Sequence, residues 1–276
     1  MPLLRIADLE TADKTLLDAA MELSSIYDKW DGSDTHERPA GIHASEISGC
    51  QRKAVYTMIG TPKKNKPDVI WRKKFKHGHW VHAGIQKDMH ELAKSMNGQL
   101  RFQDEVPIDP YNSEIARQFG IYGHCDGIFT IRAPDGKGSL TDIVRVGLEI
   151  KTASRMEYEK LLEPKKAHIE QVTTYMACLD IPCFWLLYYN KSNENTTGSH
   201  GKFFVVFQHG IWNQLAERFN KWHDMIEQSI LPDREEGIEC DWCPYVWTCK
   251  PDSGTRRQKP LPQSTVSARE LYIKKE

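Results

Sequence analysis

GLEIKTAS, residues 147–154, closes an otherwise apolar run, IVRVGLEIK (143–151), and sets a glutamate and a lysine two positions apart. The run reads as a strand, and strand side chains alternate between faces. Val146, Leu148 and Ile150 then point one way and Glu149 and Lys151 the other, with Gly147 leaving open space beside the pair. On this reading neither charge needs to be buried in apolar packing. The preceding strand, GIYGHCDGIFTIR (120–132), carries Asp126, and PDGKG (134–138) is a turn signal between them. A hairpin closed there sets Asp126 beside Glu149. Two neighbouring carboxylates repel and do not both stay ionised without a cation between them. A hard divalent ion fits, since Mg²⁺ takes one or two carboxylates and keeps its remaining positions for water and substrate. Lys151 reaches the same place. A bare E-x-K also occurs on ordinary salt-bridged surface strands, so the pattern needs further support.

The rest of the chain places this hairpin in a mixed α/β setting. The 276 residues suffice for one large domain or two modest ones, and the formal charge of −1 gives no global signal for a polyanion. Helices are expected at about 11–30, 44–59, 71–96, 154–163, 166–179 and 210–230. Strands are expected at 99–108, 120–132, 143–151, 183–190 and 202–208. In the 71–96 helix Val81, Ile85, Met89, Leu92 and Met96 form the apolar stripe. CFWLLYYN (183–190) is apolar throughout, as for a strand covered on both faces. The strand–strand–strand–helix–strand–strand order describes a mixed α/β core with helical material before and after it. No secretory leader pattern and no run of eighteen apolar residues stands out, so the expectation is a cytoplasmic protein without membrane contact.

HCDG and LEIK, in that order, resemble the motif of the PD-(D/E)XK nuclease superfamily. Two further stretches resemble its RecB-type branch. FKHGHWVHAGIQ (75–86) is similar to the branch's helix with a glycine and, four residues on, a metal-binding histidine, here Gly78 and His82. HIEQVTTYM (168–176) fits the Q-x-x-x-Y motif with Gln171 and Tyr175, also on one helix face. Each match alone is weak; their occurrence in the family's order is not. The resemblance covers residues 45–250 and implies a restriction-endonuclease-like core, a mixed central sheet flanked by helices. It further implies a DNA-cleaving enzyme using Mg²⁺ or Mn²⁺. His82, Asp126, Glu149 and the backbone carbonyl of Ile150 would be its metal ligands. Lys151 would be the catalytic amine, and Gln171 and Tyr175 would position the site.

Seven cysteines without a secretion signal argue against a disulfide framework. Cys240, Cys243 and Cys249 form C-x2-C-x5-C, and Cys50, in SGCQRK, precedes the core. This 1+3 distribution resembles the iron–sulfur members of the RecB-type branch. They include CRISPR adaptation nucleases, the nuclease subunits of AddAB-type helicase complexes and phage exonucleases, in which four such cysteines hold a [4Fe–4S] cluster. Zinc is the other candidate, although structural zinc sites usually use two closely spaced pairs. Cys125, Cys178 and Cys183 are expected to be packed thiols.

The expected organisation is a helical extension over 1–43, the nuclease domain with cluster ligands at both ends over 44–250, and a polar tail over 251–276. Arg72, Lys73, Lys74 and Lys76, interleaved with Trp71, Phe75 and Trp80, lie just before His82. They are the candidate DNA contact: cations for phosphates, rings for unpaired bases. The expected substrate is single-stranded DNA or DNA ends, with a helicase, recombinase or integrase as the kind of partner such nucleases serve. Trimming DNA beside an integrase in CRISPR spacer acquisition, or a non-catalytic DNA-binding scaffold, are the other functions compatible with the pattern.

Overall fold

The computed structural model describes residues 38–65, 69–135, 139–191, 200–235 and 237–249, with the side chains of 69–72 and 238 left out of that description. The expected helix at 11–30 and tail at 251–276 lie outside it.

Six strands form one mixed sheet. They are β1 (Ile42–His43), β2 (Leu100–Ile108), β3 (Ile121–Pro134), β4 (Leu140–Ala153), β5 (Cys183–Asn190) and β6 (Lys202–Val206). The path runs β1-β3-β4-β5-β6, and β2 also pairs with β3. The β3–β4 hairpin is antiparallel, with Gly127 opposite Leu148 and Pro134 opposite Leu140. β4 and β5 run parallel, with Lys151 opposite Tyr188. The helices are α1 (Gln51–Met58), α2 (Val69–Ser95), α3 (Glu114–Phe119), α4 (Arg155–Glu159), α5 (Lys166–Leu179), α6 (His209–Glu227) and α7 (Val246–Cys249), with single 3-10 segments at Ala44–Glu46 and Ile238–Trp242.

The two faces of the sheet bury unequal cores. A small cluster under α2 joins Ile85 to Phe129, Leu148, Ile150 and Leu187, with Val81 and Met89 packed on it. The larger core joins α1, α5 and α6, through residues such as Met58, Val172, Tyr175 and Phe219, to the opposite face. β5 contributes to both, through Leu187 and through Phe184, Leu186 and Tyr188, which is why its sequence lacks a polar face. The α2 stripe is shorter than its sequence pattern: Leu92 and Met96 remain 44% and 41% exposed, beyond the reach of the small cluster.

The structure corrects two expectations about β4. Leu148 and Ile150 face the small cluster, while Glu149 faces the helix-covered side, so Glu149 is buried at 4% exposure rather than set on an open face. Nor does Gly147 leave space: a Cβ there would lie 2.2 Å from ring carbons of Phe184. Glycine at 147 lets that ring approach β4 closely. The segment expected as a helix over 44–59 divides into a 3-10 turn and α1, and β1 and α3 appear in addition to the expected elements.

Candidate active site

The backbone hydrogen bonds of the hairpin set the geometry. The β3–β4 pairing ends at Gly127 and Leu148, one step before Asp126 would face Glu149. There the Asp126 side chain replaces the backbone partner, and its Oδ2 accepts the Ile150 amide N–H at 2.6 Å. A strand residue presents its N–H and C=O to the same neighbour. The Ile150 carbonyl is therefore turned to Asp126's side. Asp126 Oδ1 lies 3.0 Å from Nδ1 of His82, on α2.

Glu149 is held from α5. Its Oε1 accepts from Lys151 Nζ at 2.7 Å and from Gln171 Nε2 at 2.9 Å. Lys151 Nζ also donates to Gln171 Oε1 at 2.8 Å, and the second Nε2 hydrogen of Gln171 goes to Tyr175 Oη at 2.9 Å. Tyr175 in turn donates to the His124 carbonyl at 2.9 Å, which ties α5 back to β3 two residues before Asp126. Gln171 thus uses its carbonyl and both amide hydrogens, so its orientation is fixed. The i,i+4 spacing of Gln171 and Tyr175 puts both on the same helix face, over the hairpin.

The electrostatics follow from burial. Glu149's carboxyl is pushed up to about 7, chiefly by desolvation and further by Asp126, with the Lys151 charge and hydrogen bond opposing. Burial disfavours the His82 imidazolium, but the Asp126 hydrogen bond and the charges of Asp126 and Glu149 outweigh it and raise its pKa. Glu149 Oε2 is buried with no hydrogen-bond partner among the described residues. Leaving such an oxygen unpaired costs about 1–3 kcal/mol or more for a charged group. A divalent cation beside Oε2 would supply the missing partner. The donor types that Asp126, Glu149, His82 and the Ile150 carbonyl offer suit Mg²⁺ or Mn²⁺. With side chains as they stand, no group of three or more His, Cys, Asp or Glu among the described residues is already arranged around a common ion position.

Gln86 and Glu105 belong to the site although the sequence reading passed over them. Gln86, one turn after His82 and 6% exposed, donates to the Asp126 carbonyl at 2.9 Å and to Glu105 Oε1 at 2.7 Å. Glu105 has φ +47°, a left-handed conformation unusual outside glycine. It sits between the Asp104–Gly127 and Val106–Cys125 pairs, at the level of Asp126. The i,i+4 spacing of His82 and Gln86 in VHAGIQ was the available signal.

On α2, Trp80 is 61% exposed, and Lys76 Nζ lies 5.7 Å from its ring centroid. Lys73 and Lys74 occupy the preceding turns, while the Arg72 side chain is outside the described set. Elsewhere, Cys50, Cys240, Cys243 and Cys249 line one open pocket, with Arg52 and Lys53. The Cys243 thiol senses Cys50 and Cys240, and the Cys50 thiol senses Cys249, so the four are neighbours; burial is the main cause raising both thiols. Arg52 Nη1 lies 3.9 Å from Cys249 Sγ. Of the remaining cysteines, Cys125 and Cys178 are buried as expected, whereas Cys183 is only partly covered.

No family model and no curated protein sequence matches the chain. Among solved structures, the crystal structure of SSO0001 superposes with a TM-score of 0.47 at 15% identity, over 84% of this chain and 96% of that one. The LHK-Exo complex with dAMP gives 0.40 at 12% identity, over 68% and 89%. The alkaline exonuclease LHK-Exo from Laribacter hongkongensis gives 0.39 at 14% identity, over 69% and 90%.

Proposed function

We propose that the chain is a metal-dependent deoxyribonuclease that hydrolyses phosphodiester bonds as an exonuclease, on single-stranded DNA or DNA ends. The observation that carries the reading is the unpartnered, buried Glu149 Oε2, on a carboxylate whose other oxygen accepts from both Lys151 and Gln171. His82, Asp126, Glu149 and the Ile150 carbonyl would hold one or two Mg²⁺ or Mn²⁺ ions. When bound, such an ion makes water nucleophilic at neutral pH and offsets charge on the scissile phosphate.

The remaining work falls to the chain. Lys151, held by Glu149 and Gln171, orients the attacking water and places a positive charge against the equatorial oxygens of the transition state. Tyr175 and Gln171 keep that amine from swinging away, and Gln86 fixes the Asp126 backbone. Lys73, Lys74 and Lys76 would follow the phosphates leading to the site, with Trp80 stacking on an unpaired base. The four-cysteine pocket would hold a [4Fe–4S] cluster or, less consistently with the 1+3 spacing, zinc.

The test is digestion of end-labelled single- and double-stranded DNA with Mg²⁺, Mn²⁺ or EDTA. Metal-dependent release from one end, lost in Lys151→Ala, supports the proposal. Equal digestion by the Lys151→Ala protein removes it.

A further inference from the structure

One partly buried hydrogen-bonded pair next to this site has no part in the mechanism above. His168 lies on α5 one turn before Gln171, and Tyr188 is the β5 residue opposite Lys151. Tyr188 is 1% exposed. Its oxygen accepts the Lys165 backbone N–H at 3.0 Å and stands 2.6 Å from His168 Nδ1. A buried phenol needs an acceptor for its own hydrogen. The Lys165 N–H is a donor, so among the described residues His168 Nδ1 is that acceptor. With Nδ1 accepting, the neutral ring carries its hydrogen on Nε2.

The charge state agrees with this geometry. Burial first, then the charges of Lys151 and Lys165, push the His168 pKa down to about 3, so the ring is uncharged at neutral pH. The titratable groups that reach His168 are thus Lys151 from β4, Lys165 at the start of its own helix and Tyr188 from β5. The charges nearest the ring are two ammonium groups, Lys151 paired to Glu149 and Lys165 paired to Glu157, and α5 begins at Lys165 without a side-chain cap on its first N–H groups. A fixed N–H donor beside an ammonium and a helix N-terminus suits an anion, not a metal ion.

We propose that His168 contacts substrate, its Nε2–H donating to a non-bridging oxygen of the DNA phosphate that Lys151 faces, with Tyr188 as the positioning residue that fixes the tautomer. The assignment rests on the nuclease reading above and adds a substrate contact to it. Like an oxyanion-hole donor, the N–H costs no reorganisation, because Tyr188 has already oriented it.

Two measurements on the full chain test this. Nitrogen-15 NMR of the histidine rings reads the tautomer without any turnover. His168 is expected to show a protonated Nε2 and a bare Nδ1, unchanged from about pH 8 to about pH 5, a range that spans the ordinary histidine pKa. Tyr188→Phe should let the second tautomer appear and lower kcat, while the parent keeps the single tautomer throughout that range. In steady-state cleavage, His168→Ala should lose on the order of 10- to 100-fold in kcat with a smaller change in KM. His168→Gln, which keeps a donor, should recover part of the loss. A ring protonated at Nδ1, or a His168→Ala protein cleaving at parental rates while Lys151→Ala is inactive, overturns the inference and leaves the nuclease reading standing. If Lys151→Ala also cleaves like the parent, the nuclease reading falls and takes this contact with it.

Discussion

A carboxyl group that is 4% exposed, with one oxygen unpartnered, is costly to keep ionised. Glu149 has its folded pKa raised to about 7 from 4.5. Between those values the folded chain binds more protons than the unfolded one, so stability falls as pH rises through that window and stays lowest above it. Without metal, the parent is therefore expected to melt lower at about pH 8 than at about pH 6, and Glu149→Gln to lose most of that difference. Mg²⁺ at ~100 times its Kd should stabilise the parent by about 2.7 kcal/mol and leave Glu149→Gln unmoved, as read by thermal denaturation. A second change at this scale, Tyr175→Phe, removes the donor to the His124 carbonyl, a loss of about 1–3 kcal/mol in urea unfolding. The identities of Asp126, Glu149, Lys151, Gln171 and Tyr175 were legible because each falls on a spacing that the secondary structure makes meaningful. Gln86 shared only an i,i+4 spacing with His82, and Glu105 and His168 did not stand out at all. Their roles depend on which neighbour each atom meets, and spacing does not encode that.

Among the elements, β4 carries Glu149 and Lys151 beneath α5, and the contact of β4 with β5 tolerates little change. Gly147→Ala drives a methyl group into the Phe184 ring. Overpacking of this kind typically costs about 1–3 kcal/mol. The expected result is a lower unfolding midpoint, partly restored when Phe184→Leu is added. Periodicity located these elements well: β5 and α5 occupy 183–190 and 166–179 as read from their patterns. Alternation set Glu149 opposite Leu148 and Ile150, as the structure does, but it assumed that face to be wet, whereas α5 covers it. Short pieces such as β1 and α3 carry too few residues for any period to register. The left-handed turn at Glu105 has no glycine to announce it.

Across the whole molecule, the four cysteines join the segment before α1 to the chain after α6. A clip between Cys50 and Cys240 would close a loop of about 190 residues, worth roughly 5 kcal/mol in the chain-entropy picture. Arg52, 3% exposed, reinforces the same junction by donating to the Pro232 carbonyl at 2.7 Å. Loading the pocket with iron and sulfide under anaerobic conditions should give a brown protein with a raised Tm. Cys50→Ala and Cys249→Ala should each lose both colour and gain; a colourless protein with stoichiometric zinc would assign the pocket to zinc. The sequence spacing pointed to this convergence, while the cationic neighbours Arg52 and Lys53 emerged only with the fold.

The proposed hydrolytic centre is tested most directly by cleavage of end-labelled DNA by the parent and by Glu149→Gln, each with Mg²⁺ and with EDTA. Cleavage by the parent in Mg²⁺ alone, abolished by Glu149→Gln, is the expected result. Parental rates in Glu149→Gln, or undiminished cleavage in EDTA, would contradict a cation held at the unpartnered oxygen of Glu149.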